Sequence, residues 1–211
     1  MKSFWYYFLG MIFFPWRAAS HLLLEPRKLP KATKSILFIG ILYLLATSAL
    51  AVSGALPMAP AWLSISTENY YFWQIFFVVP VVVLDWILTA GLILWLSRGG
   101  KKKGSGTFED TLATLGFALT LPLFLAWIPE AFISFLLLFA AWRQEKFVEL
   151  VSQPGVWQGA ALIFLIVVLF WLLILISIAV SVSQKLRWWK TMAVSILATV
   201  VFVIVLFIFI R

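Results

Sequence analysis

The sequence predicts an all-α integral membrane protein with five transmembrane helices and a short interfacial helix at the N-terminus. The chain has 211 residues, of which 64% are hydrophobic and only 11% are charged. A soluble domain of this size needs more charge to cover its surface. The mean hydropathy is +1.07, and several apolar runs reach the roughly 20 residues that a helix needs to cross a bilayer.

The first apolar segment, residues 4–16, is too short to cross. One interpretation is a signal peptide, with Lys2 before it and cleavage near Ala19. Cleavage would leave the basic residues that follow outside the cell, against the positive-inside rule. A helix lying in the membrane interface, ended or kinked by Pro15, fits better. Residues 1–34 are therefore predicted to be a cytoplasmic or interfacial segment that ends in a stiff, polar lead-in at 25–34.

The five spans are predicted inside a membrane domain of residues 35–211. Prolines follow the first span, as expected where a helix stops. Thr107 is a plausible N-cap for the third span, and Glu109 and Asp110 place negative charge in its first turn. A short surface helix is possible in the loop at 142–156. The predicted spans are 35–56, 73–97, 111–141, 157–182 and 191–210.

The third apolar segment is longer than one crossing requires and contains Pro122, Pro129 and Glu130. It could be one kinked helix or two short segments. Charge decides between them. If the segment crosses once, all the basic clusters lie on one side of the membrane; if it crosses twice, the last cluster moves to the other side. The single crossing agrees with the positive-inside rule.

Basic residues are distributed unequally between the two sides in this layout. The inner side holds thirteen basic and three acidic residues, and the outer side holds three of each. This asymmetry predicts a cytoplasmic N-terminus and an external C-terminus. The inner clusters are Arg27, Lys28, Lys31 and Lys34, then Lys101, Lys102 and Lys103, then Lys185, Arg187 and Lys190.

Three stretches of the chain resemble the Yip family of Rab-interacting five-span membrane proteins, in its compact prokaryotic form. The first is FLGMIFFPWRAASHLLLEPRKLPKATKSILFIG, a proline-rich and basic lead-in to the first span. The second is GGKKKGSGTFEDTLATLGFALTLPLFL, in which Gly116, Phe117 and Pro122 match the family's Gly-aromatic-proline helix, with Phe117 where tyrosine is common. The third is the closing pair of long apolar spans, separated by a short basic turn.

The resemblance implies a five-helix Yip domain. In eukaryotic members it implies a role in vesicle trafficking through Rab-type GTPases and partner Yip proteins. This chain lacks the long hydrophilic N-terminal domain of those members, which puts GTPase binding in doubt. We therefore expect a protein of a prokaryotic cytoplasmic (inner) membrane.

Two acids fall inside predicted spans. Asp85 lies near the middle of the second, where an ionised side chain costs at least ~2.5–3.5 kcal/mol on insertion scales. It is either a proton- or ion-handling group or a protonated carboxyl that joins helices. Glu130 follows Pro129 and could form a site beside a broken helix. The favoured interpretation is an acid near the outer interface, hydrated from the external face, so Asp85 is the better candidate.

The basic clusters could bind anionic lipid headgroups or an acidic protein partner at the cytoplasmic face, or they could only set the topology. We expect no nucleic acid and no cofactor; an oligomer is possible. The chain has no cysteine and a single histidine, His21, which excludes a site with two histidine ligands. It also lacks P-loop, G-x-S-x-G and H-E-x-x-H motifs.

These observations predict a non-enzymatic Yip-type protein that organises membrane or recruits partners through its cytoplasmic basic loops. The alternative is a small transporter or lipid-translocating component that uses Asp85 and a proline-broken third helix.

Overall fold

The chain folds into seven α-helices and one short 3-10 helix within the part that the structure describes. That part of the computed structural model covers residues 3–57, 65–98, 106–139 and 156–210, together with Glu145 and Glu149. The helices are α1 (Phe4–Phe13), α2 (Pro15–Leu23), α3 (Lys28–Val52), α4 (Tyr70–Arg98), α5 (Phe108–Leu138), α6 (Val156–Gln184) and α7 (Trp188–Phe209), with the 3-10 turn at Thr67–Asn69.

Five of these helices, α3 to α7, are long and apolar enough to cross a membrane. The prediction of a five-span, all-α membrane protein with a short apolar N-terminal helix is therefore confirmed. The predicted surface helix at 142–156 and the basic loop that contains Lys101, Lys102 and Lys103 fall almost entirely outside the described residues.

Local signals explain where several helices begin. Thr107 caps α5, as predicted: its Oγ1 accepts from the Asp110 backbone N–H at 3.1 Å, and the Asp110 carboxylate accepts from the Thr107 N–H at 3.0 Å. Pro15 is the first residue of α2, where a missing N–H leaves no bond unmade. Helix α3 begins at Lys28 rather than at residue 35. Pro30 does not prevent this start, because the N–H groups of a first helical turn have no partner inside the helix.

Contacts between helix ends define two ends of the bundle. We call the end that joins the start of α3 and α5 to the end of α6 the basic end; there Lys28 pairs with Asp110, and Gln184 donates to Thr111. At the opposite end, the Tyr70 hydroxyl of α4 donates to the Phe209 carbonyl of α7 at 3.3 Å. Successive long helices thus run in alternating directions.

Helix α5 is the centre of the bundle. Every residue from 111 to 123 is buried, whichever way its side chain points. Such a helix must be covered on all sides, and α1, α2, α3, α4 and α6 all contact it. Against α3 it packs in parallel: the Ser35 Oγ donates to Thr120 Oγ1 at 2.8 Å, and the Trp127 indole donates to the Leu42 carbonyl at 2.8 Å.

The N-terminal helices α1 and α2 form a hairpin that covers the half of α5 nearest the basic end. Tyr7, Phe8 and Met11 of α1 are buried. The rings of Phe4 and Tyr7 lie within 6 Å of the Phe117 ring, at 5.7 and 5.8 Å between centres. The hairpin is therefore part of the bundle's packed core as well as an apolar N-terminal segment.

Helix α6 is packed along only half of its length. Leu172, Leu175, Ile176, Ala179 and Val180 are buried toward the basic end. In the other half, every residue from 159 to 167 is exposed. That half stands away from the neighbouring helices and leaves a space beside α5 and α7.

Candidate functional site

A polar network ties the N-terminal hairpin to the start of α3. The Tyr7 hydroxyl donates to Glu25 Oε1 at 2.8 Å, and Lys31 Nζ lies 2.8 Å from Glu25 Oε2. The same ammonium lies 5.0 Å from the centre of the Tyr7 ring. Burial, followed by the hydrogen bond to Glu25, raises the pKa of Tyr7 above its ordinary value. The network therefore requires a protonated Tyr7 beside an ionised Glu25.

We expect Tyr7→Phe to loosen the hairpin, because the Glu25 carboxylate loses a donor; hydrogen bonds to charged groups contribute about 1.5–3 kcal/mol. Amide hydrogen exchange in residues 4–23 should become at least tenfold faster. Because the folded-state pKa of Tyr7 is raised, its contribution is complete below the unfolded tyrosine pKa and is lost as pH rises above about 10. Loss of stability above that pH should be smaller in Tyr7→Phe than in the original chain; equal alkaline slopes would contradict this assignment.

A second polar cluster joins α3, α5 and α6 at the basic end. Asp110 both caps α5 and pairs with Lys28. Gln184 of α6 is buried, and its Nε2 donates to Thr111 Oγ1 at 2.6 Å. Next to them, a Cβ on Gly106 would lie 2.0 Å from the Ser183 carbonyl oxygen, so only glycine allows this approach of two backbones.

These contacts separate the predicted basic residues into two groups. Lys28 and Lys31 are partly buried in ion pairs with Asp110 and Glu25 and help to hold the bundle together. The other described members of the clusters have exposed side chains, and so does Arg98 at the end of α4. These exposed cations are Arg27, Lys34, Arg98, Lys185, Arg187 and Lys190, and Arg17 of α2 is exposed as well.

Asp85 is completely buried in α4. Its Oδ1 accepts from the Thr89 hydroxyl at 3.3 Å, while its Oδ2 has no hydrogen-bond partner among the described residues. Counting about 1.5 Å per residue from the Tyr70–Phe209 contact places Asp85 at the level of Ser195 in the antiparallel α7. The hydroxyls of Ser195 and Thr199 are likewise buried without a partner in the described structure. A row of under-satisfied polar groups therefore lies near the middle of the bundle.

A cavity of about 270 Å³ opens between α5, α6 and α7, and α3 and α4 close its far side. Its wall is apolar except for the phenol of Tyr43 and the carboxyl of Glu130. The Tyr43 hydroxyl donates to the Leu123 carbonyl at 3.2 Å. Glu130 Oε1 is buried and accepts no hydrogen bond from the residues that the structure describes. The residue as a whole is half-buried, so hydration of the other carboxyl oxygen from the external face stays a prediction.

The prolines of α5 do not break it, since the helix is continuous from Phe108 to Leu138. The proline-broken third helix expected for a transport site is therefore absent from this segment. Pro122 is buried and lines the cavity, whereas Pro129 is exposed. Of the other motif positions, Gly116 packs directly on Ala32, and Phe117 receives the aromatic rings of the hairpin.

Sequence reasoning missed Gln74, Gln184 and Tyr43. Gln74 is fully buried, and neither atom of its amide has a partner among the described residues. The available signal was a polar side chain inside an apolar span, which predicts a side chain facing the protein interior. No group of three histidine, cysteine, aspartate or glutamate side chains that could hold a metal ion occurs in the described ranges.

Comparison with protein families gives a match over most of the chain. The family model of the Yip1 domain matches residues 4–210, nearly the whole chain. No curated protein and no solved structure matches the sequence. The match includes the N-terminal hairpin, in agreement with the packing of α1 and α2 on α5.

Proposed function

Because the chain belongs to the Yip1 domain family, we propose that it is a non-enzymatic integral membrane protein that organises its surroundings by attracting anionic groups to its basic end. The observation that carries this proposal is the exposed set of cations there. Segments far apart in sequence supply them: Arg27 and Lys34 from the start of α3, Arg98 from the end of α4, and the Lys185–Lys190 turn.

The ion pairs at the basic end determine how much of its positive charge remains available to a partner. Glu25 and Asp110 are each occupied by a lysine, so these two acids do not neutralise the exposed cations. Each lysine or arginine near an anionic membrane surface contributes about 1 kcal/mol to attraction. Anionic phospholipid headgroups or the acidic surface of a partner protein would both be attracted. By the positive-inside rule this end faces the cytoplasm, so we place the protein in a prokaryotic inner membrane with its C-terminus outside.

Neutralising the turn between α6 and α7 should reduce retention of anionic lipid. We expect the triple variant Lys185→Gln, Arg187→Gln and Lys190→Gln to retain several-fold less phosphatidylglycerol, relative to phosphatidylethanolamine, after purification from an equal mixture. Native mass spectrometry measures the bound lipids directly. The difference between variant and original chain should shrink as ionic strength rises, since salt screens exposed charges.

The charge-conserving variant Lys185→Arg, Arg187→Lys and Lys190→Arg serves as the control and should retain lipid like the original chain. An unchanged lipid ratio in the neutralised variant would contradict the proposal for this turn.

The transport alternative depends on two predicted features, and only one of them is present in the structure. Asp85 is buried as expected, but α5 is unbroken at both prolines. We therefore do not propose transport as the function.

A further inference from the structure

The cavity beside α6 lies between helices that are all long and apolar enough to cross a membrane. It is bounded by Leu165, Val168 and Leu169 of α6, and by Phe202 and Leu206 of α7. The exposed half of α6, residues 159–167, begins at this wall. Residues 161–167 are all apolar as well as exposed, so an acyl chain can approach the cavity along α6 without crossing a polar surface of that helix.

The size and lining of the cavity fit a short length of aliphatic chain. Its volume of about 270 Å³ corresponds to roughly nine groups the size of a water molecule. The wall offers apolar side chains from five helices and has no lysine or arginine. A phosphate group would find no cation in this wall and would face the carboxyl of Glu130.

A buried polar atom in the wall, without a partner among the described residues, determines which polar group of a ligand fits. Glu130 Oε1 is buried and accepts no hydrogen bond within the described bundle. A carboxyl oxygen in either protonation state can accept from a hydroxyl. An ammonium group has three donors to satisfy, whereas the Tyr43 hydroxyl is already directed to the Leu123 carbonyl. A hydroxyl has one hydrogen to donate and finds its acceptor in Glu130 Oε1, whereas an ammonium would have to place three in a largely apolar wall.

We propose that this cavity binds a neutral lipid with a free hydroxyl, of the diacylglycerol type, whose chain lies against α6 and α7 and whose hydroxyl donates to Glu130. Glu130 lies in α5 about 10 Å along the helix axis from the helix midpoint, toward the opposite end from the basic surface. A lipid in the leaflet away from the basic end can therefore bring its glycerol region close to this carboxyl. The site is separate from the basic end and does not depend on its proposed role.

Photolabelling of the full chain in nanodiscs tests the proposal. The probe is a diacylglycerol with a diazirine in one acyl chain, and mass spectrometry locates the adducts. We expect adducts on cavity-lining residues of α5, α6 and α7. Unlabelled dioctanoylglycerol should compete at least tenfold better than its O-methyl ether, which lacks the donor. Equal competition by the two compounds, or labelling spread evenly over the lipid-facing surface, would overturn the proposal.

Two substitutions at Glu130 separate recognition of the hydroxyl from general packing. Glu130→Leu should reduce labelling about tenfold, because the acceptor is lost. Glu130→Gln retains an acceptor oxygen and should label nearly as well as the original chain. If the glutamine variant loses labelling as completely as the leucine variant, the hydrogen bond to a hydroxyl is not the basis of binding.

A third substitution tests the position of the chain. Ala126→Trp fills the cavity and should abolish labelling, whereas Leu162→Trp, on the exposed half of α6, should not. Labelling of Ala126→Trp at the original level would overturn the proposal. Competition between the two glycerol compounds uses the original chain, so the conclusion does not depend on any variant folding.

Discussion

Gly116→Ala should lower the free energy of unfolding by about 1–3 kcal/mol, the usual cost of overpacking a tight core. A Cβ at this position would lie 2.9 Å from the Ala32 Cβ and 3.3 Å from the Ala32 Cα and carbonyl oxygen. Two of these three contacts are with backbone, so no flexible side chain can move aside. Helices α3 and α5 would have to separate along the most extensive helix contact in the bundle. Larger residues at position 116 should prevent recovery of folded protein.

Gly91→Ala is the matched control for this experiment. Gly91 also lies inside a long helix, but a Cβ there would meet nothing within 4 Å. We expect it to be neutral or to stabilise by up to about 1 kcal/mol, because alanine restricts the unfolded chain and favours the helix. Thermal unfolding in one detergent, followed by tryptophan fluorescence, compares the variants.

Removing the methyl group of Ala32 should reduce the destabilising effect of Gly116→Ala. Ala32→Gly removes the methyl group that the new Cβ of Gly116→Ala would touch, so Gly116→Ala should cost at most half as much in the Ala32→Gly background as in the original chain. Additive losses in the double variant would show that the contact between α3 and α5 is not what excludes a side chain at Gly116. Close approach through small residues is a recognised basis of helix association in membranes, and Gly116 supplies it in the helix at the centre of the bundle.

The parts of this fold that sequence predicts are those fixed by local chemistry and by hydropathy. Long apolar runs identify the five spans because a helix in lipid must satisfy its own backbone groups. The cap formed by Thr107 and Asp110 was predictable because its partners are three residues apart. The single crossing of α5 followed from the distribution of charge. A cap depends on residues a few positions apart, whereas hydropathy and charge distribution can be read from the chain as a whole.

Contacts between residues far apart in sequence were not predictable in this way. Nothing near Tyr7 indicates that its hydroxyl will meet Glu25, or that its ring will pack on Phe117. Helix α3 begins before the predicted span because a first helical turn accepts the proline and the charges of the lead-in. The surroundings of Glu130 depend on how α6 departs from the bundle, and an apolar helix carries no sequence signal for that departure.

Asp85→Val should raise the free energy of unfolding, by about 1–3 kcal/mol, although it removes a hydrogen-bonding group from the core. The Asp85 carboxyl is fully buried near the middle of α4, and its hydrogen bond to Thr89 is long, at 3.3 Å. Its second oxygen has no partner among the described residues. Replacing a poorly satisfied buried polar group by an apolar one of similar size stabilises when its hydrogen-bond partner finds another acceptor, and the Thr89 hydroxyl can turn to the Asp85 backbone carbonyl four residues earlier. Thermal unfolding under the conditions used for the Gly116 variants measures the change.

Asp110→Val, in contrast, should lower the free energy of unfolding. Asp110 completes the capping box of α5 and pairs with Lys28, so Asp110→Val removes the acceptor of the Thr107 N–H and leaves the partly buried Lys28 ammonium without its carboxylate. Asp85→Asn removes the charge and keeps the shape, and should lie between the original chain and Asp85→Val. If Asp85→Val is less stable than the original chain, the free oxygen has a partner within the bundle, such as a buried water shared with Ser195. If it is more stable, Asp85 lowers the free energy of unfolding of the bundle. Its role then lies in binding or proton exchange rather than in folding.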